Sequence, residues 1–147
     1  MRKAHIKLLN EEKDYPVYVL TMDYEKGKLC YKRTTRKMSL VEYTDKKLEK
    51  LINRLNEMDD ATFTKRGITR YDVFEQIGCV RDTIKSLIIE YGYGHDDIYF
   101  NRPRFKETEY LAHAFENAFL GNRVFQKYLP DIYNEMIAYI KALKPMR

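Results

Sequence analysis

At 147 residues, 44% hydrophobic and 33% charged, the chain has the length and balance of one folded domain with one core, which excludes an intrinsically disordered protein. No apolar run approaches bilayer length, and the basic start Met1-Arg-Lys-Ala-His-Ile-Lys7 has no apolar stretch behind it to make a signal peptide, so the expected location is the cytoplasm, with no membrane partner. A net charge of +5, from 27 basic and 22 acidic side chains, is too mild to imply nucleic acid by itself.

In chain order, Val17-Tyr-Val-Leu-Thr-Met22 has the β-branched and aromatic composition of a strand. Glu25-Lys-Gly-Lys28 reads as a turn, with Gly27 free to take positive φ, and Leu29-Cys-Tyr31 returns as the second strand. A lone hairpin needs a helix to lean on. Ser39 and Glu42 have the spacing of a capping box, and the apolar stripe Leu48, Leu51, Ile52, Leu55 and Met58 follows, closed by Asp59-Asp60 and Gly67. A second helix starts near Thr69 and carries Val73, Phe74, Ile77, Val80, Ile84, Leu87, Ile88 and Tyr91. Gly78 inside it is a candidate break. Tyr91-Gly-Tyr-Gly-His95 ends that helix, and Pro103 keeps the next stretch irregular. A third helix carries Leu111, Ala114, Phe115, Ala118 and Phe119 and stops at Gly121. Pro130 opens a last one with Ile132, Tyr133, Met136, Ile137, Ile140 and Leu143 inward. The expected fold is α+β and helix-dominated: one domain over 1–147, with a hairpin region at 1–38, a helical region at 39–147 and about four helices.

Cys30 falls in a strand and Cys79 in a helix, outside any C-x-x-C spacing, so both are expected to be buried, reduced thiols. There are 13 Tyr and no Trp; tyrosine suits a core boundary and a binding face equally well. Gly92 and Gly94 make only a G-x-G, which is not a phosphate loop, and no G-x-S-x-G elbow or cysteine–histidine nucleophile stands out. Glu109 and His113, four apart on a helix, share a face, and His95 lies just upstream. Together His95, Glu109 and His113 would suit Zn²⁺ if the loop folded back over that helix; otherwise they are a solvated helical pair and a turn residue, and no cofactor is expected.

Gly92-Tyr-Gly-His95, Tyr99-Phe100, Glu107-Thr-Glu-Tyr-Leu-Ala-His-Ala-Phe115 and Tyr128-Leu-Pro-Asp-Ile-Tyr133 resemble the C-terminal part of zincin-like domains of phage head-morphogenesis (minor capsid) proteins and related mobile-element toxins. The likeness covers roughly residues 73–143. It implies a third zinc ligand at Glu109, in Glu109-Tyr-Leu-Ala112, but the family's His-Glu-x-x-His is absent: the matching region reads Thr69-Arg-Tyr-Asp-Val-Phe-Glu-Gln-Ile-Gly78. Without the water-activating glutamate and two histidine ligands, a working peptidase is not expected.

The other feature is charge. Lys26, Lys28, Lys32, Arg33, Arg36 and Lys37 fall in twelve residues without an acid, and with Tyr31 they could lay a cationic ribbon on a phosphate backbone or an acidic protein. The bland alternative is a solvated edge kept soluble by lysine. Three functions follow as expectations. The first is a phage or mobile-element protein on a degenerate, non-catalytic zincin-like scaffold, binding a macromolecular partner in the host cytoplasm or virion. The second is a small basic binder of nucleic acid or protein, for example an inhibitor of a host defence complex, acting through residues 26–37. The third is a metal-dependent hydrolase. Oligomeric state is left open by all three.

Overall fold

The structure is a computed structural model that describes residues 2–88 and 105–143, with the side chains of 105–107 outside the description. Helix α1 (Arg2–Asn10) leads into strands β1 (Glu12–Asp23) and β2 (Lys28–Ser39). Then come helices α2 (Leu40–Glu57), α3 (Asp60–Lys65), α4 (Arg70–Leu87), α5 (Phe105–Leu120), α6 (Arg123–Tyr128) and α7 (Pro130–Ala142). The helix-dominated α+β class is as expected, but there are seven helices among the described residues, where about four were anticipated.

The hairpin region expected over 1–38 divides in two. Residues 2–10 are helical and bury His5 and Leu9 in the helical body, while the hairpin itself begins at Glu12. Nine residues with so few apolar positions give little periodicity to read, which hid α1 from the sequence.

The strands run well beyond their apolar runs, each over 12 residues. β1 and β2 pair antiparallel from Glu12↔Ser39 to Asp23↔Lys28 around Gly27, whose φ is +62°. Twelve paired residues extend about 40 Å. The ladder continues through Lys32, Arg33, Arg36 and Lys37 because a ribbon exposed on both faces does not need apolar alternation. Among the described residues only the base is anchored: Met38 is buried and Tyr15 stacks on Tyr43 of α2.

Helix ends follow local chemistry. Ser39 Oγ accepts from Glu42 N at 3.2 Å, and a reciprocal capping box sits at α4, where Asp72 N donates to Thr69 Oγ1 (3.1 Å) and Thr69 N to Asp72 Oδ2 (2.9 Å). Gly121 takes φ +64° after α5, and Pro130 opens α7. α4 runs through Gly78 without a break, since packing of Ile77, Val80, Ile84 and Leu87 outweighs glycine's cost of about 1 kcal/mol. Tyr91, His95 and Pro103 lie outside the described residues.

One core joins α1, α2, α4, α5, α6 and α7 through Leu9, Leu48, Val80, Ile84, Phe125, Ile132 and Met136. α5 corrects its expected stripe. Tyr110, Ala114 and Asn117 are buried, whereas Leu111 and Phe115 face outward and Phe119 is 96% exposed. The helix turns this face inward because Asn117 enters a satisfied polar network. Its Nδ2 donates to Thr83 Oγ1 (3.0 Å) and His113 O (2.8 Å), and Asn122 Nδ2 donates to its Oδ1 (2.9 Å). Asn122 also donates to Gln76 O (2.8 Å) and caps α6 by accepting from Phe125 N (2.9 Å). Buried amides with every group paired cost little, so they displace apolar side chains from the interior.

Candidate functional site

Alternation divides the cationic ribbon between the two faces of the hairpin. Residues directly opposite share a face, so Lys28, Lys32 and Arg36 lie with Met38, Val17 and Val19 on the side toward α2, while Tyr31, Arg33 and Lys37 lie on the other. Lys26 is exposed in the turn. The seven ribbon residues therefore make two surfaces of different chemistry, not one.

On the α2 side, hairpin and helix enclose a groove of about 420 Å³ lined by Val17, Val19, Arg36, Tyr43, Lys46, Lys47, Glu49, Lys50 and Asn53. A second hollow continues from it past Lys47 and Lys50 to Arg54, Lys127 and Tyr128. Tyr43, Lys47, Lys50 and Arg54 recur at helical spacing, so α2 turns one cationic face to the opening. Arg36, Lys46, Lys47, Lys50, Arg54 and Lys127 thus line one trough, against the single carboxylate of Glu49 among the described lining residues. Two of the ammonium groups sit over rings: Lys47 Nζ is 5.2 Å from the Tyr43 centroid and Lys127 Nζ 5.4 Å from that of Tyr128. Reading the sequence for runs without acids missed α2, whose lysines are interspersed with Glu42, Asp45 and Glu49. A helical wheel of residues 43–54 carries the signal.

Of the expected metal ligands, His95 lies outside the described residues. Glu109 and His113 do face each other, with Nε2 to Oε2 at 3.3 Å. The other ring nitrogen of His113, Nδ1, meets Glu116 Oε2 at 3.1 Å, and Cys79 Sγ donates to Glu116 Oε1 at 3.4 Å. The ring is thus held between two carboxylates of its own helix, Glu109 and Glu116. Among the described residues no group of three or more His, Cys, Asp and Glu is arranged to hold a metal ion.

The two cysteines differ. Cys79 is buried, and burial, helped by the Glu116 carboxylate, pushes its thiol up to about 12. Cys30 is exposed on the hairpin, correcting the expectation that both are buried: it lies in the outer half of the strand, beyond the base that packs on α2.

His5, which the sequence did not single out, is a buried joint. Its Nδ1 contacts the Tyr110 hydroxyl and its Nε2 lies 2.6 Å from Glu135 Oε2, tying α1 to α5 and α7. Burial raises the Tyr110 hydroxyl well above its ordinary range, the Glu135 carboxylate adds to this and Arg2 opposes it.

No described helix is long and apolar enough to cross a membrane. In comparisons with known proteins, no family model, no curated protein and no solved structure matches this chain.

Proposed function

We propose that this chain is a nucleic-acid-binding protein that holds a phosphate backbone in the trough between its β-arm and α2. The observation that supports the reading is the disposition, among the described residues, of six cations with the Tyr43 and Tyr128 rings against one carboxylate, along a channel open to solvent. Lysine and arginine neutralise phosphates and release counterions, whereas tyrosine offers a base a stacking surface. Lys28 and Lys32 extend the charge outward along the arm on the same side. No nucleophile or activated water is needed: the chain acts by binding. Fluorescence anisotropy of labelled duplex and single-stranded oligonucleotides tests it. Binding should weaken steeply with salt and fail when Lys46, Lys47 and Lys50 are replaced by Ala. Absence of binding at low salt, or binding indifferent to these changes, refutes it.

The likeness to zincin-like domains, with the phage or mobile-element origin it implies, stands beside this as a proposal about ancestry. Its support is the pair Glu109 and His113 on one helical turn. Zinc content of the purified protein tests it, with His95→Ala/His113→Ala as the control for the ligands.

A further inference from the structure

Among the described residues, none lies over the face of the hairpin turned away from α2. Its cross-strand pairs run Pro16↔Thr35, Tyr18↔Arg33, Leu20↔Tyr31 and Met22↔Leu29, and the five apolar or aromatic side chains Tyr18, Leu20, Met22, Leu29 and Tyr31 are 44–72% exposed. Tyr18 also borders the trough, but alternation places its side chain with Leu20 and Met22. A contiguous patch of this kind is unusual on an isolated chain. A two-stranded ribbon is also marginal in water unless something packs on it, and the outer half of this one leans on no other described element.

We propose that this face packs against the same face of a second copy of the chain, the two arms stacking antiparallel about a twofold axis near Leu20 and Tyr31. Three features select that occupant. The patch has the anatomy of an interface: its centre is uncharged except for Arg33, and Asp14, Lys37, Glu25 and Lys26 lie at the two ends. An antiparallel stack is self-complementary in charge. It brings Lys37, near the base of one arm, toward Glu25 at the tip of the other, and sets Arg33 opposite the Met22–Leu29 pair instead of against its own copy. The area also suffices. Covering the exposed parts of five such side chains removes on the order of 500 Å² per copy, so about 1,000 Å² in all, at the lower limit of specific interfaces. The two layers would lie about 10 Å apart, as in a β-sandwich. Such a dimer turns both cationic troughs outward, so it neither needs nor blocks the binding proposed above.

Sedimentation velocity on the full chain between about 1 and 200 µM tests this, because an interface of minimal area gives roughly micromolar association. The weight-average mass should climb from monomer toward dimer. Leu20→Lys and Tyr31→Asp should each raise the dissociation constant at least about tenfold, as truncating central contacts does. Lys32→Ala, on the opposite face, should leave it unchanged. Circular dichroism identifies a variant whose arm is lost. A second measurement avoids that ambiguity. In a Cys30→Ser background, Tyr31→Cys should be joined between copies by a short bis-maleimide cross-linker, which spans the gap between the layers, many times faster than Lys32→Cys. A chain that stays monomeric throughout, a dimer insensitive to Leu20→Lys and Tyr31→Asp, or equal cross-linking from both faces overturns the proposal.

Discussion

Tyr15 of β1 and Tyr43 of α2 lie stacked, ring centroids 4.1 Å apart and 13° from parallel. This contact sets where the arm leaves the body and so holds the trough open at its inner end. It keeps the Tyr15 hydroxyl above its ordinary range, first through burial and then through Glu11 and Tyr43. Tyr43→Ala should cost about 1–2 kcal/mol, the pair energy plus some lost area. Hydrogen exchange across residues 13–38 should quicken more than exchange in α4. Unchanged arm protection would show that the stack does not anchor the hairpin.

The trough makes a quantitative demand on salt dependence. If Lys46, Lys47 and Lys50 each meet a phosphate, the triple alanine variant should flatten the slope of log K against log salt by about 2 to 3 on duplex DNA. Stability should hold within ~0.5 kcal/mol at Lys46 and Lys50, which are exposed, and fall by about 0.5–1 kcal/mol at half-buried Lys47, which gives up its place over the Tyr43 ring. A parallel shift, with the slope kept, would mean the lysines do not touch phosphate.

Asn117 and Asn122 carry a different kind of weight. Asn117→Ala strips the partner from Thr83 Oγ1 and from Asn122 Nδ2 in a buried site and should cost on the order of 2–3 kcal/mol in urea unfolding. Asn53→Ala, on the exposed face of α2, should stay within about 0.5 kcal/mol. Equal effects would remove the network from the account of how α5 is oriented.

The thiols should separate chemically. Iodoacetamide at neutral pH should label Cys30 in the native protein and spare Cys79 until unfolding. Because the folded Cys79 thiol holds its proton to about 12 and an unfolded thiol releases it near 9.0, that site's contribution is complete below pH 9 and is lost as pH climbs toward 12. Tyr110 and Tyr15 are shifted the same way, so the decline should steepen above pH 10.0. Cys79→Ala should flatten the stability profile just above pH 9; an unaltered profile there would contradict the assigned shift.

Gly78 offers a gain. A Cβ built there meets nothing within 4 Å, and the helix is regular through it. Gly78→Ala should therefore stabilise the fold by about 0.5–1 kcal/mol, read as a higher urea midpoint at constant slope. A loss would mean that α4 needs the extra backbone freedom.

What the sequence determined by itself is local. Gly27 and Gly121 mark positive-φ turns, Pro130 opens a helix, Ser39 and Thr69 cap two others, and Ile77, Val80, Ile84 and Leu87 face the core as their spacing requires. Each of these rests on sterics or hydrogen bonds within a few residues. Tertiary structure decided the rest. Apolar spacing favoured Leu111, Ala114, Phe115, Ala118 and Phe119 as the inner face of α5; Ala114 is buried as expected, but Tyr110 and Asn117 take the inward places beside it in preference to Leu111, Phe115 and Phe119, because partners for those polar groups come from α1, α4 and the start of α6. Glu109 and His113 came together as their four-residue spacing dictates, while the trough did not show in any one segment. Arg36, Lys50 and Lys127 are brought to one opening only when the arm folds back beside α2 and α6 docks at its end, since a groove between elements is set by packing and not by local spacing.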